Sequence, residues 1–531
     1  MIRINNIKIA ADKKQDIKKA VSNKLRISKD QIKELKVFKK SIDARRKDIF
    51  YVYNVDVEVK NEHKYIGKGG ITKSPNLTYQ FVKPGNNKLL KPIVVVGAGP
   101  AGLFCGLVLA QMGYKPIILE QGEEVDRRVS SVEGFWNGKP LNPRSNVQFG
   151  EGGAGTFSDG KLTTQIKDPR CRKVLDEMVK CGAPEEITFM SKPHVGTDKL
   201  RKIVKNLRQA IFDLGGQVIF DSQVTDILIE NGKISKLEVN GGKSISVQAA
   251  VLALGHSARE TFELLYKKGV QIKPKPFSVG VRIEHPQNLI NLSQYGEDYE
   301  KYNLPAADYK LNVHLKDKPS VYTFCMCPGG KVVAAASEKG HLVTNGMSYY
   351  NRDEPNANSA VLVNVMPENL PTDHPLKGMF FQRELERKAF ELGGADYSAP
   401  AQLVKDFVKG VPSDNFGEVV PSYKPSVKLT DLHKCLPDFV TESLREGIVE
   451  LESKLNGFSL GDAVLTAVES RSSSPIRIFR TDALESNIAG LYPAGEGAGY
   501  AGGIMSAAVD GIKVAEQLAS KYAPIKIEEE F

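Results

Sequence analysis

Cysteine is scarce, with six residues in a chain of 531, and no two of them form a CxxC pair. That spacing excludes a disulfide framework, a zinc ribbon and a thioredoxin-type redox pair. The N-terminus, MIRINNIKIAADKKQDIKKA, lacks an apolar signal core and a small-residue cleavage site. A reducing cytoplasm is therefore the expected location. The 47 glycines follow no three-residue period, which excludes collagen. Repeats, low-complexity tracts, metal-ligand spacings and a Ser/His/Asp signature are also missing, so no metal is expected. With 41% hydrophobic and 26% charged residues, the composition is that of a globular chain and not a disordered one. At roughly 100–200 residues per domain, the length suggests about three or four structural units.

Charge is unevenly placed. Residues 1–90 hold 22 lysines and arginines against 9 acidic residues, a net of +13, and the remaining 51 and 54 leave −3. The whole-chain charge of +10 thus belongs to the front module. One long run, residues 92–114, carries no charge and could be mistaken for a membrane span. Gly97, Gly99 and Pro100 break it early, so a buried strand, a tight turn and a packed helix are expected, with no membrane partner.

The texture predicts an α/β chain in four segments. Residues 1–88 read as a basic, ferredoxin-like α+β module: MIRINNIKI alternates like a strand, 13–26 suits a helix, and IKELKVFKKSI and DIFYVYNVDVEVK suit two more strands. Residues 66–90 look like a linker. Residues 89–275 read as the first part of a dinucleotide-binding domain. PIVVV is a doubly buried strand and residues 100–113 a small-residue helix. Residues 196–214 form an amphipathic helix, and QVIF, VTDILIE, KISKLEVN and KSISV form a β-meander. Residues 276–455 are an expected α+β insert of substrate-binding type, and 456–531 a return to the first domain. The tail KIEEEF is expected to be solvated.

The chemistry begins at Gly97-Ala98-Gly99-Pro100-Ala101-Gly102, directly after a strand and opening a helix. One glycine permits the turn, one lets backbone approach a pyrophosphate, and one allows close helix–strand packing. The helix N-terminus offers free N–H groups to the phosphates. Glu120 follows 18 residues past Gly102, where an acid can bind ribose hydroxyls. A second glycine block, Gln148 to Leu162, suits backbone passing close to a flat ligand. The aromatics Phe50, Tyr51 and Tyr53 on the basic module are candidates for base stacking, against a plain solvated lysine surface or a docking module.

Beyond these motifs, SIDARRKD (41–48), NVQFGEGGAGTFSDGKL, KPHVGTDKL (192–200), VYTFCMCPGG (321–330), ESRSSSPIRI (469–478) and YPAGEGAGYAGGIMSAAVDG (492–511) resemble a family of FAD-dependent dehydrogenases of unassigned substrate. The resemblance spans nearly the whole chain, basic module included. It implies FAD in a glutathione-reductase-like Rossmann domain, and a missing CxxxxC after the first helix sets the chain apart from the disulfide reductases. It implies that Gly255, after the strand AAVLAL, lets the chain pass the cofactor. Glu496 is expected at the ribityl chain, where such proteins usually carry Asp. The helix after Gly502-Gly503 is expected to aim its N-terminus at the flavin. Gln121, Gly153, Thr156, Val224, Gly495, Gly503 and Ile504 join the expected cofactor set, with Arg127 or Arg128 pairing a phosphate.

Catalytic candidates are Lys161, near the flavin, and Cys325 and Cys327. If strand-borne, the two thiols face one side, as a redox pair or as buried small hydrophobes. His256 and His285 are read as structural hydrogen-bonders, and Arg282 and Arg471 as candidates for an anionic substrate. The expected activity is hydride transfer from NADH or NADPH, as a transient donor, through FAD to an unassigned acceptor. The alternatives are a flavin-dependent RNA-modifying protein docked through residues 1–85, or a flavin-bound interaction protein without turnover.

Overall fold

The computed structural model describes residues 1–45 and 48–524, so the KIEEEF tail lies outside the described residues. The front module is an antiparallel sheet in the order Ile32–Asp43, Phe50–Val59, Ile2–Ala10, Thr72–Lys73, with the helix Ile17–Leu25 on one face. In the first strand, Ile2, Ile4, Ile7 and Ile9 all pack into the module's core, although strict alternation would place 2 and 4 opposite 7 and 9. A register slip between Ile4 and Ile7 resolves the conflict, with Asn6 at φ 57, a conformation asparagine tolerates. Thr72–Lys73, inside the expected linker, closes this sheet. The rest of that stretch is pinned, with the Gly85 amide donating to the Ala519 carbonyl at 2.8 Å. The edge strand of the module is covered too: the Lys40 amide donates to Phe189 and the Ser191 amide to Lys40.

A five-stranded parallel sheet forms the centre, in the order Leu491–Pro493, Ala249–Leu252, Ile93–Val96, Ile117–Leu119, Gln217–Ile219. Its strands are apolar runs because both faces are covered, one by helices that include Pro100–Gln111 and Ile504–Lys521 and the other mainly by the antiparallel strands of residues 224–246. The charge-free run 92–114 is accounted for by the strand Ile93–Val96 and the helix Pro100–Gln111, which packs against the helix Ile504–Lys521. No described helix is long and apolar enough to cross a membrane.

Two expectations need correction. The meander has three strands, Val224–Glu230, Lys233–Val239 and Lys243–Ser246, while Gln217–Ile219 is the edge of the parallel sheet. The expected boundary at 455/456 cuts a sheet. Seven strands run in the order Asn312–Val313, Val321–Cys327, Asn356–Val365, Phe277–Pro286, Val464–Glu469, Ala399–Leu403, Val427–Leu429. Val464–Glu469 lies beside the central strand 277–286, and its buried run VLTAVE has the same texture as the strands of the parallel sheet.

Candidate functional site

A cavity of about 1030 Å³ opens where the parallel sheet meets the seven-stranded sheet. At its floor the strand Ile93–Val96 ends and the helix Pro100–Gln111 begins. The three glycines of this junction do different work. A Cβ on Gly97 would stand 2.3 Å from the Ala253 carbonyl oxygen, and one on Gly102 1.8 Å from the Gly97 carbonyl oxygen. Both are therefore demanded by packing. A Cβ on Gly99 would meet nothing nearer than 3.8 Å, yet Gly99 lines the cavity. Gly255, Gly502 and Gly503 also line it, and a Cβ on any of them would have no neighbour within 4 Å. Packing does not ask for glycine at these four positions. The positive φ of Gly255 (70) and Gly503 (131) calls for glycine there, whereas at Gly99 and Gly502 neither packing nor φ does, and a ligand pressed against bare backbone would. The N-terminal ends of two helices, 100–111 and 504–521, open on the same space. This donor set fits a dinucleotide with a pyrophosphate and a flat ring.

Of the other expected cofactor residues, Pro100, Ala101, Gln121, Gly153, Val224 and Ile504 line the cavity. Glu120 lines it while also tying the turn together. One carboxylate oxygen accepts from Ala98 N at 2.8 Å, and the other from Gly122 N and Gly150 N at 3.0 Å each. Three of its roughly four lone-pair sites are thus used within the protein, leaving about one for a ribose hydroxyl. Ala98 and Gly102 form the packed side of the same turn.

Four expected ligands point elsewhere. Arg128 is fully buried and spends its guanidinium on the carbonyls of Asn146, Val147 and Glu151, holding the second glycine block in shape. Arg127 is taken by Asp221 and Glu123 at the surface. Thr156 lies in the short helical turn Gly153–Phe157 with its hydroxyl on the Glu151 carbonyl, behind the cavity wall. Gly495 is likewise behind the wall, its amide donating to Asp510 at 2.7 Å.

The far end of the cavity is polar. Asp159 and Arg352 form a two-pronged ion pair at 2.9 and 2.6 Å, and Glu469 and Arg282 another at 2.9 and 3.1 Å. Asp159, Arg352, Asn345 and Glu469 were missed by sequence reasoning, and the pairs join residues 193 and 187 positions apart, for which no local signal exists. Arg282 is not open to an anionic substrate: it is fully buried and donates to Glu469, Asn358, Asn345 and the Cys325 carbonyl. Arg471 reaches the wall but is bound to Glu386 and Ser337. His256 lines the cavity, where burial and then Arg471 and Arg259 push its pKa down to about 3, so it is neutral at pH 7. His285 lies away from the cavity, against the Phe458 carbonyl.

Lys161 lines the cavity with its ammonium on the Met326 carbonyl. The thiols of Cys325 and Cys327 do not share a face in the simple way that alternation predicts. A slip between Phe324 and Cys327 puts residues 325 and 326 opposite one partner residue, and Cys325 adopts φ 43. The bulge turns Cys325 into the cavity and leaves Cys327 buried beneath it. On the front module, Phe50, Tyr51 and Tyr53 do not form one stacking platform. Tyr53 is in the core with its hydroxyl on Gln15, and Tyr51 sits under Lys40. Among the described residues no group of three His, Cys, Asp or Glu side chains could hold a metal ion.

Glu496 lines the cavity, and burial raises its carboxyl to about 7, against the partial relief of Lys275 and the Gly503 amide. The folded chain therefore keeps a proton that the unfolded chain has lost between pH 4.5 and 7. Stability associated with this group is full below pH 4.5 and is lost as pH rises through 7. In flavin-free protein, Glu496→Gln is expected to gain on the parent by on the order of 2 kcal/mol at pH 8 and by nothing at pH 4, the open cavity screening part of the ideal shift. Chemical unfolding across that pH range checks it, and a constant difference would contradict it.

Residues 276–472 match a family model described as FAD-dependent protein, C-terminal domain-like, and residues 1–58 match a domain of unknown function. An uncharacterized protein of Clostridium beijerinckii is 52% identical over 528 residues, spanning 98% of this chain and 99% of its own. Among solved structures, CtdE in complex with FAD shares 13% identity over 80% of this chain and 83% of its own, with a TM-score of 0.33. A geranylgeranyl bacteriochlorophyll reductase-like protein from Thermoplasma acidophilum shares 12% over 81% and 78%, with a TM-score of 0.35. Those scores are too low to carry an argument. The clostridial relative and the matched domain do carry one: the chain belongs to a family of FAD-dependent proteins to which no substrate is assigned.

Proposed function

We propose that the protein is a flavin-dependent oxidoreductase fed by NADH or NADPH. The observation that carries this reading is the single crevice joining Gly99, Glu120, Gly255, Glu496 and Gly503, drawn from stretches up to 404 positions apart. When bound, FAD supplies hydride chemistry at its N5, taking a hydride from the nicotinamide and delivering it to an acceptor.

The chain's own residues would bind and orient. The turn 97–102 and the helix behind it hold the pyrophosphate on backbone N–H groups. The remaining lone pair of Glu120 would receive a ribose hydroxyl, and Glu496 would serve the ribityl chain. The positive end of the helix 504–521 favours negative charge on a neighbouring ring. Because the sequence holds one dinucleotide fingerprint, the nicotinamide has to enter the same cavity. The polar end, at Lys161, Asn345 and Arg352, gives that second reactant its space.

Anaerobic mixing of the yellow protein with NADH and with NADPH tests the reading. Bleaching of the visible flavin band by one of the two is expected. Retained flavin that neither donor bleaches would overturn the nicotinamide part and leave a flavin-bound protein with another donor.

A further inference from the structure

Cys325 lines the cavity and Cys327 is buried beneath it, both unused by the function proposed above. The strand bulge that exposes Cys325 keeps Cys327 directly beneath it. The Cys327 thiol donates to the Cys325 carbonyl at 3.3 Å and is within hydrogen-bonding reach of the Cys325 sulfur. Two cations converge on this short segment. The Arg282 guanidinium donates to the Cys325 carbonyl at 2.9 Å, and the Lys161 ammonium meets the Met326 carbonyl. Asp159, Glu469 and Glu496 are the acidic groups facing the pair, and the first two are already held by arginines.

The two thiols are electrostatically unequal. The Cys327 hydrogen bond, then Arg282 and Lys161, lower Cys325 below the ordinary thiol range against the opposing effect of burial. Cys327 is pushed well above the ordinary thiol range by its partner and by burial. Cys325 is therefore the sulfur that gives up its proton first and Cys327 the one that keeps it, the polarisation of a reactive dithiol. The remaining cysteines are different: burial raises Cys105, Cys171, Cys181 and Cys435, and nothing places any of them in the cavity.

We propose that Cys325 and Cys327 form a dithiol/disulfide couple that exchanges two electrons with the flavin, so that the substrate class of this site is thiol and disulfide. This rests on the flavin reading above. In the oxidising direction the Cys325 thiolate and the Cys327 thiol form one S–S bond. The S–H bond of Cys327 breaks, and its proton and two electrons pass to oxidised flavin, giving the anionic reduced form. Charge and atoms balance with no further reactant, and the reverse reaction opens the disulfide at the expense of reduced flavin. The bulge and Arg282 position the couple, while Cys325 is the sulfur that faces the ring and an incoming disulfide.

The test uses the full-length holoprotein. Flavin content is measured first from the chromophore released on denaturation. The air-oxidised protein is then titrated anaerobically with dithionite, and thiols are alkylated in denaturant before and after for peptide mass spectrometry. The expected result is twice the reducing equivalents per flavin that Cys327→Ser or Cys325→Ser takes up. The 325–327 peptide should be unalkylated before reduction and doubly alkylated after it, and total alkylation should rise from four cysteines to six. The peptide readout needs no variant, so misfolding of either serine variant leaves the test intact. Flavin retained with a single two-electron uptake and six alkylated cysteines in air-oxidised protein would overturn the couple alone. Protein that binds no flavin would overturn the flavin reading and this proposal with it.

Discussion

Gly99→Asp is expected to leave a folded but colourless protein. The position tolerates a side chain sterically, since an added Cβ meets no atom nearer than 3.8 Å, and its φ of −78 strains nothing. What it does not tolerate is a charge in the cradle. A carboxylate about 4 Å from a phosphate costs about 1 kcal/mol in bulk water and about 4 kcal/mol near a protein surface. Two phosphates and the lost approach of the backbone make a weakening of FAD binding by at least roughly 100-fold the expected outcome. Gly102→Ala is the contrasting case, because its Cβ would fall 1.8 Å from a backbone oxygen in the same turn. Overpacking against backbone costs typically about 1–3 kcal/mol or more, so this variant should lose thermal stability whether or not flavin is present. Melting temperature and flavin retention, measured on both, separate the roles. A yellow Gly99→Asp protein would remove the pyrophosphate from this turn.

Comparison of these glycines shows how far the sequence reaches. The spacing 97–102, the acid at 120 and the glycines at 255 and 503 are local signals: strand, turn and helix follow one another, and physics ties each residue type to its place. Which glycine serves packing and which serves the ligand is not local. It depends on Ala253 and Gly153, which come from other segments. The same limit explains Arg127 and Arg128. Two adjacent arginines open a helix near the expected phosphates, but only the packed fold decides that Arg128 turns inward to the carbonyls of 146–151. The front module was readable as alternating strands and a helix, except for the slip at Asn5–Asn6 and the two-residue strand 72–73. Val464–Glu469 was readable as a buried strand, while its sheet was not, since a doubly buried run looks alike in either. The polar end of the cavity stayed invisible because each ion pair joins segments nearly 200 positions apart, such as Asp159 and Arg352.

Glu386→Gln is expected to cost about 3–5 kcal/mol, the range seen when one partner of a buried ion cluster is removed. Glu386 is fully buried on the helix Lys377–Gly393. Its carboxylate receives Arg259 at 2.7 and 2.8 Å, Arg471 at 2.9 and 2.8 Å, and the Ser470 hydroxyl at 2.6 Å. Arg259 belongs to the helix just after Gly255, and Arg471 follows the strand Val464–Glu469, so one side chain joins three segments around the cavity. Burial alone would push its carboxyl up, but the two arginines more than offset this and hold it well below the ordinary carboxylate range. A lowered folded value means that the stabilisation is present above pH 4.5 and is lost as pH falls below it, which is the opposite sign to Glu496. The loss in Glu386→Gln should therefore be constant from pH 6 to 8 and shrink towards acid. Arg259 keeps Glu338 as a second partner, whereas Arg471 has only Ser337 besides Glu386 among the described residues. Glu338→Gln, at a side chain 24% exposed, should cost under about 1 kcal/mol. Denaturant unfolding of both variants at pH 7 and pH 4 decides the matter. Equal losses in the two would show that the cluster is screened by solvent and does not hold the cavity walls together.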